Sequence, residues 1–135
     1  SGDYIMIHDA ARMFVDEYLL EQIEQDGELI NPVLTYIPVK DTIKLKNGTK
    51  LTTLTRSNLV AASTPQCATL KLFLEVYNRA KLENITATDD ISLIEKYHPE
   101  IEIKLVSAND TSFKVTTPID YELAKIIWRN RLWFV

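Results

Sequence analysis

The sequence predicts an α/β layered domain, because strand-like and helix-like segments alternate along it. Three observations carry this prediction. A short apolar run from Ile5 to Ile7 is typical of a buried strand, the segment after it has apolar residues at helical spacing, and a second apolar strand follows. A chain of 135 residues has the length of one domain, so we treat residues 1–135 as a single unit.

Composition and charge restrict the function classes. Hydrophobic residues make up 46% of the chain and charged residues 25%, as in ordinary soluble globular proteins. The formal net charge of −4 argues against a general nucleic-acid or membrane-surface binder, although a local basic pocket stays open. The single Cys67 excludes an internal disulfide, and no apolar run approaches the roughly 20 residues of a membrane span. We therefore expect a cytoplasmic protein without nucleic-acid or membrane partners.

The first predicted strand ends on His8, Asp9, two alanines and Arg12. We expect this strand to be buried on both faces of a parallel sheet. Open α/β sheets bind their ligands at the carboxyl ends of such strands. The stretch from His8 to Arg12 is therefore predicted to form the floor of a site. The alternative is a local ion pair between Asp9 and Arg12 that only stabilises the turn.

The next two elements are a helix and a strand. Asp16 is placed to cap the helix and Gly27 to end it, with Leu19, Leu20 and Ile23 on one apolar face. The strand contains Val33, Leu34, Tyr36, Ile37 and Val39. Because Pro38 cannot donate a ladder hydrogen bond, it indicates a strand end or an edge strand.

Asn47-Gly48 between two β-prone segments predicts a hairpin. We favour a three-residue loop that pairs Ile43 with Leu51 and Leu45 with Thr49, rather than a two-residue turn with Leu45 opposite Lys50. An isolated two-stranded arm is marginal in water, so its apolar face is expected to pack on a second subunit. A solvated excursion on the surface is the alternative.

Further helices are predicted after the hairpin. Ser63-Thr64-Pro65 leads into one with Thr69 as its cap, Cys67 near its start, and Leu70, Phe73, Leu74, Tyr77 and Ala80 as its core face. Thr88 is expected to cap a short helix that runs to about Tyr97, before Pro99, with Asp89 and Asp90 at its positive end.

The last part of the chain is predicted to contain two strands and a helix. The period-two residues Ile101, Ile103, Leu105 and Val106 indicate one strand, and Phe113 to Val115 another. Thr117 caps the final helix, with Pro118 in its first position and Asp120 three residues after the cap. This helix is expected to bury Leu123, Ala124, Ile127 and Trp128.

Six ordered blocks resemble the 2-C-methyl-D-erythritol 4-phosphate cytidylyltransferase family, including its relatives that act on ribitol or ribulose 5-phosphate. They are Ile7-His8-Asp9-Ala10-Ala11-Arg12, Val39-Lys40-Asp41-Thr42-Ile43-Lys44, Arg56-Ser57-Asn58-Leu59, Thr64-Pro65-Gln66, Ala87-Thr88-Asp89-Asp90 and Lys114-Val115-Thr116-Thr117-Pro118. The resemblance covers the carboxyl-terminal part of the family. It implies a Rossmann-like nucleotidyltransferase, a three-layer sandwich missing its amino-terminal strands, with a protruding hairpin dimerisation arm at residues 41–59.

The resemblance also implies a reaction and its residues. CMP passes from CTP to a polyol phosphate, pyrophosphate leaves, and Mg²⁺ bridges the phosphates. Lys114 and Arg56 are the implied catalytic residues, with Arg56 acting from the neighbouring subunit of a homodimer. The implied substrate-binding residues are Asp9, Arg12, Thr42, Thr64 and Thr88, and Asp9 is also the candidate metal ligand. Without the resemblance, Arg56 and Lys114 would be read as solvated surface charges.

The chain departs from the family pattern at several positions. Met13 stands in place of proline, Ser63 in place of glutamine, and Ser112-Phe113 in place of asparagine and an aliphatic residue. The last of these changes lies beside Lys114 and leaves the choice between an erythritol and a pentitol phosphate open. The family's glycine-rich triphosphate loop lacks a counterpart, so we expect the chain alone to be inactive. A non-catalytic assembly module of the same fold is the competing class.

Overall fold

Ten helices and strands form the part of the chain that the structure describes, residues 2–25 and 29–134 of a computed structural model. The short 3₁₀ turns lie at Arg56–Asn58, Asp110–Ser112 and Leu132–Phe134. The strands are β1 (Tyr4–Ile7), β2 (Val33–Pro38), β3 (Lys44–Asn47), β4 (Lys50–Thr53), β5 (Val60–Thr69) and β6 (Lys104–Ser107). The helices are α1 (Glu17–Gln25), α2 (Leu70–Leu82), α3 (Asp90–Tyr97) and α4 (Pro118–Asn130).

The main sheet is mixed, with the strand order β1-β5-β2-β6. β5 runs antiparallel to both β1 and β2, whereas β2 and β6 are parallel. The expectation that β1 is buried in a parallel sheet was therefore wrong. β1 is half-buried, and among the described strands it pairs only with β5, Ile7 lying opposite Gln66.

β5 is the strand that sequence reasoning missed. Its buried stretch contains Ser63, Thr64 and Gln66, and these polar residues hide the apolar pattern of a strand. Cys67 was wrongly expected at a helix start. It lies in β5 and is fully buried, and burial raises the pKa of its thiol to about 12. Cys67 is therefore a core residue.

Helices cover both faces of the sheet, as in a three-layer arrangement. On one face, Leu19 and Ile23 of α1 pack with Val33, Cys67 and Val106. The other face is covered by α2 and α3, whose core residues with the sheet are Leu34, Ala68, Phe73, Val76, Ala80, Ile91, Leu93 and Ile94. A third cluster joins α4 to the chain after β1 through Phe14, Ala124 and Ile127. The expected α/β class is confirmed.

Three of the predicted helix starts are confirmed by their capping bonds. Asp16 accepts a hydrogen bond from the Leu19 amide at 2.6 Å, and Thr69 accepts one from Leu72 at 3.3 Å. Thr117 and Asp120 form a full capping box at the start of α4. The cap of α3 is Asp89 instead of Thr88, because the Asp89 carboxylate accepts the Ser92 amide. The predicted stop at Gly27 lies outside the described residues.

The core face predicted for α2 is rotated. The predicted Phe73 and Ala80 are buried, together with Val76, whereas the predicted Leu70, Leu74 and Tyr77 are substantially exposed. In α4 the predicted Ala124 and Ile127 are buried, whereas Leu123 and Trp128 are exposed. Spacing identified both helices correctly but did not settle which flank of each apolar stripe meets the sheet.

The strand expected around Phe113 is absent from the described sheet. The chain forms a 3₁₀ turn at Asp110–Ser112 and then runs extended, with one backbone bond of 2.9 Å from Val115 to Ala11. The strand predicted over 101–106 is β6, which begins only at Lys104 and leaves Leu105 exposed. Pro38 ends β2 as predicted, although β2 is an inner strand and Val39 lies beyond it.

The hairpin is present as the two-stranded pair β3-β4, with every one of its residues exposed. Both weighed registers were wrong. Asn47 pairs with Lys50 and Leu45 with Thr52, around a two-residue Gly48-Thr49 turn in which Gly48 has φ +61°. Directly opposed residues share a face, so Leu51, opposite Lys46, lies on the other face from Leu45. The predicted apolar face does not form.

Candidate functional site

A carboxylate lies between two cations where β1 ends. Asp9 Oδ2 is 3.2 Å from Nε of Arg12 and 3.3 Å from Nζ of Lys114. Arg12 is largely buried, with 14% of its side chain exposed, while Lys114 is 48% exposed. The arrangement therefore presents one fixed and one accessible cation around a single carboxylate.

The charge on Asp9 is stabilised by this pair. Burial alone would raise the pKa of the carboxyl group, but hydrogen bonds and charge interactions with Lys114 and Arg12 outweigh it. The pKa of Asp9 consequently lies below its ordinary value. Asp9 is thus an ionised hydrogen-bond acceptor near neutral pH.

The backbone after β1 is held by a hydrogen-bond chain through Thr64. The Asp9 amide donates to Thr64 Oγ1 at 3.0 Å, and this oxygen lies 2.8 Å from Nδ1 of His8. His8 Nε2 lies 2.8 Å from the Arg12 carbonyl. Since a carbonyl only accepts, all bonds are satisfied when His8 carries its proton on Nε2 and Thr64 donates to Nδ1. These bonds make His8 a structural residue of the floor.

A cleft of about 740 Å³ opens beside this floor. The cleft is lined by the segment after β1, the middle of β5, the segment that carries Lys114, and parts of α2, α3 and the loop between them. Its lining residues are Asp9, Arg12, Ala62, Ser63, Thr64, Gln66, Tyr77, Ala80, Lys81, Ile85, Thr86, Ala87, Thr88, Asp89, Asp90, Leu93 and Lys114. The structure therefore brings five predicted residues together at one cleft: Asp9, Arg12, Thr64, Thr88 and Lys114.

Gln66 of β5 binds the start of α3, which forms one side of the cleft. Its amide nitrogen donates to Asp89 Oδ2 at 3.1 Å, and its oxygen accepts the Ile91 amide at 2.9 Å. Tyr77 of α2 donates to Asp90, and the pKa of Tyr77 is raised to about 12 by burial and by this bond. The start of α3, with Thr88 beside it, is thereby fixed against the sheet.

Thr42 and Arg56 do not line this cleft. Both are exposed residues of the hairpin region, and the Arg56 guanidinium donates to the Lys40 carbonyl at 2.9 Å. The resemblance assigns them to a neighbouring subunit's site. That assignment stays a prediction.

Sequence reasoning missed Gln66, Ser63 and Ser112 as residues of the site. Ser63 and Gln66 are buried in β5, and Ser112 is buried beside them. The available signal was their residue type, because consecutive buried polar groups need hydrogen-bond partners and so mark a polar junction.

Among residues 2–25 and 29–134, no cluster of side chains forms a magnesium site by itself. Mg²⁺ takes six oxygen ligands at short distance, and the described residues contain no group of three His, Cys, Asp or Glu side chains that could hold an ion. Asp9 Oδ2 is moreover engaged by two cations. Asp9 could supply at most part of a coordination shell.

The fold and the site together indicate an α/β protein that binds an anionic ligand. A mixed α/β sheet with a cation-bearing cleft at its strand ends is suited to binding an anionic ligand.

No helix in the described ranges 2–25 and 29–134 is both long and apolar enough to cross a membrane.

Comparison with known proteins identifies the family. The family model of 2-C-methyl-D-erythritol 4-phosphate cytidylyltransferase (IspD) matches residues 1–130. The chain belongs to this family of cytidylyltransferases, and the predicted resemblance is confirmed.

Individual members of the family match the chain in sequence and in structure. The chain is 34% identical over 124 residues to the Bacillus thuringiensis enzyme of this name, covering 91% of the chain and 54% of the relative. The Clostridium novyi enzyme is 33% identical, with coverages of 96% and 56%. The solved structure of the Thermus thermophilus enzyme matches with a TM-score of 0.80 at 27% identity, covering 93% of this chain and 62% of that one. The chain spans about half the length of the curated relatives it matches.

Proposed function

We propose that the protein carrying this chain transfers CMP from CTP to 2-C-methyl-D-erythritol 4-phosphate and releases pyrophosphate. Membership of the family supports this activity. The observation that carries it in the structure is the placement of Arg12 and Lys114 within 3.3 Å of the Asp9 carboxylate, in one cleft. The chain then provides the polyol-phosphate side of the site and the nucleotide side lies outside it.

The proposed roles follow from charge and exposure. Phosphoryl transfer depends mainly on positioning and on stabilising negative charge. Lys114, the more accessible cation, neutralises a substrate phosphate or the charge that develops at the α-phosphate of CTP. Arg12 fixes the substrate, and the ionised Asp9 accepts hydrogen bonds from the polyol hydroxyls. Thr88 donates a hydroxyl hydrogen bond from the opposite wall.

In this proposal Thr64 positions Asp9. It is buried and already bonded to His8 and to the Asp9 amide. We expect it to hold Asp9 in place for the substrate. Mg²⁺, when bound, would neutralise and orient the phosphates of CTP, which supply most of its oxygen ligands.

The activity assay is pyrophosphate release by the protein expressed from its complete reading frame. With CTP, we expect turnover of 2-C-methyl-D-erythritol 4-phosphate to exceed that of ribitol and ribulose 5-phosphates. Preferred turnover of a pentitol phosphate would overturn the substrate, and a protein that binds but never releases pyrophosphate would be an assembly module. The comparisons do not favour either alternative.

The proposed assembly is a homodimer joined through the hairpin region, residues 41–59, which brings Thr42 and Arg56 to the partner's cleft. Leu45 and Leu51 are exposed on opposite faces of the hairpin, so each face offers one apolar side chain for a contact with the partner. Deleting Lys44 to Lys50 should convert a dimer to a monomer in sedimentation velocity. A dimer of unchanged strength would refute the contact. Changing the exposed Lys71 of α2 to Ala should leave the dimer intact.

A further inference from the structure

Two buried serines join β5 to the segment that carries Lys114. Ser63 is 1% exposed and Ser112 is 5% exposed. Their Oγ atoms lie 2.9 Å apart, and either one can donate the hydrogen bond. Ser63 belongs to β5, whereas Ser112 ends the 3₁₀ turn two residues before Lys114. The bond therefore ties the Lys114 segment directly to the sheet.

The backbone of Ser112 also holds Arg12. The Ser112 carbonyl accepts a hydrogen bond of 2.8 Å from Nη1 of Arg12, while Nε of the same guanidinium faces Asp9 at 3.2 Å. A guanidinium is a rigid planar fork, so a shift at one donor turns the other. Displacing the Ser112 carbonyl would consequently rotate Arg12 away from Asp9.

The Lys114 segment depends on individual bonds for its position, because the described chain forms no strand ladder there. Asn109 donates to Asp16 at 3.1 Å before the turn, and the Val115 amide donates to the Ala11 carbonyl at 2.9 Å after it. The Ser63–Ser112 bond lies between these two and is buried. It joins β5 to the residue whose carbonyl holds Arg12 and which lies two positions before Lys114.

We propose that the Ser63–Ser112 hydroxyl pair is a positioning device that sets Arg12 and Lys114 against Asp9 for binding a phosphorylated substrate. Neither serine needs to touch the substrate. The positioning of Arg12 and Lys114 by the serine pair is argued from the geometry of the cleft. Its importance for catalysis rests on the proposed function.

The placement is tested by NMR on the protein expressed from its complete reading frame, comparing the wild type with S63A, S112A and the double variant. Each single variant leaves one buried hydroxyl unpaired and should unfold at a lower temperature, whereas the double variant removes both groups and should regain stability. If the pair positions Arg12, its Nε–H should exchange with water at least about tenfold faster in all three variants. A merely structural role predicts wild-type exchange in the stable double variant, and that result would overturn the proposal.

Two controls sharpen this test. S107A removes an exposed hydroxyl of β6 and should leave the exchange of Arg12 unchanged. S112T keeps the hydroxyl group, so its Arg12 Nε–H should exchange as slowly as in the wild type. Because each single variant also breaks the bond, the test does not depend on the double variant being folded. Wild-type exchange in the singles would equally overturn the proposal.

The catalytic consequence is measured in the protein from the complete reading frame. The double variant should lower kcat/KM for the polyol phosphate at least about tenfold, with the KM for CTP unchanged. An unchanged kcat/KM would overturn the catalytic role. If the wild-type protein shows no pyrophosphate release, the proposed function fails, while the exchange result still decides the placement.

Discussion

Asp9 is the residue whose ionisation links the site to stability. Its pKa in the folded chain lies below the ordinary value of 3.8, so its ion pairs stabilise the fold above that pH and are lost as the pH falls through the folded value. Asp9→Asn should therefore lower the free energy of unfolding near neutral pH by about 0.5 kcal/mol, the scale of partly exposed ion pairs. Urea unfolding of both proteins measures this.

Unfolding measured at acidic pH checks that prediction. The difference between the wild type and Asp9→Asn should shrink as the pH falls below 3.8 and should disappear only below the lowered pKa of folded Asp9, where the wild-type carboxyl group is also neutral. Asp41→Asn, an exposed substitution in the hairpin region, should show no difference at either pH. A stability difference for Asp9→Asn that persists unchanged into acid would contradict the ion-pair account.

Which side chains meet could be predicted from the sequence only in part. Asp9 and Arg12 are close in the chain, and the resemblance added Lys114. The Ser63–Ser112 contact was not predicted, although both residues stood out as departures from the family pattern, because 49 positions separate them and β5 was not recognised. A contact of this kind depends on strand register, which local patterns do not determine.

At the scale of the elements, α4 is set by its first turn. Thr117 accepts the Asp120 amide at 3.2 Å, and Asp120 in turn accepts the Thr117 amide at 2.9 Å. Thr117→Ala should lower the free energy of unfolding by about 1 kcal/mol, since it removes a side-chain cap. Thr55→Ala is the matched control, because Thr55 precedes a 3₁₀ turn without a side-chain capping bond. Equal effects of the two substitutions in chemical denaturation would contradict this role.

α2 and the end of α3 are joined by a histidine bridge. His98 lies 3.0 Å from Glu100 and 2.8 Å from Glu75. The hydrogen bonds that His98 donates to the carboxylates of Glu100 and Glu75 raise its pKa above 6.5, outweighing the effect of burial. The stabilisation is thus complete below pH 6.5 and is lost as the pH rises through the folded value.

His98→Gln tests this bridge by thermal unfolding at two pH values. The variant should melt below the wild type at about pH 6, and the gap in melting temperature should narrow towards about pH 9, because the rising pH removes the proton from the wild-type imidazole. Tyr97→Phe removes a neighbouring hydroxyl that bonds Glu83 and serves as a control whose effect should not follow the histidine titration. A gap that widens with rising pH would contradict the bridge.

Helices were easier to predict than strands. The caps at Asp16, Thr69 and Thr117 are local signals and were confirmed, because the capping residue and its amide partner are near neighbours in the chain. The register of the hairpin failed because Gly48 can serve more than one turn type. The strand expected at Phe113 failed because extended backbone without a pairing partner is not a strand.

For the whole molecule, the layered α/β class was predictable from the alternation of elements, whereas the mixed sheet was not. The antiparallel β5 lies between β1 and β2, so these two strands run in the same direction without touching. This insertion places Ser63, Thr64 and Gln66 in the lining of the cleft. The three side chains bond respectively to the Lys114 segment, to the end of β1 and to the start of α3.

The central claim is that this cleft is the polyol-phosphate half of a cytidylyltransferase site, with Lys114 stabilising developing charge. The most direct measurement is pyrophosphate release from CTP and 2-C-methyl-D-erythritol 4-phosphate by the protein from the complete reading frame, comparing Lys114→Ala with Lys71→Ala on the exposed side of α2. The account predicts a loss of at least about 10²-fold for Lys114→Ala and no loss for Lys71→Ala. An unchanged rate for Lys114→Ala would contradict it.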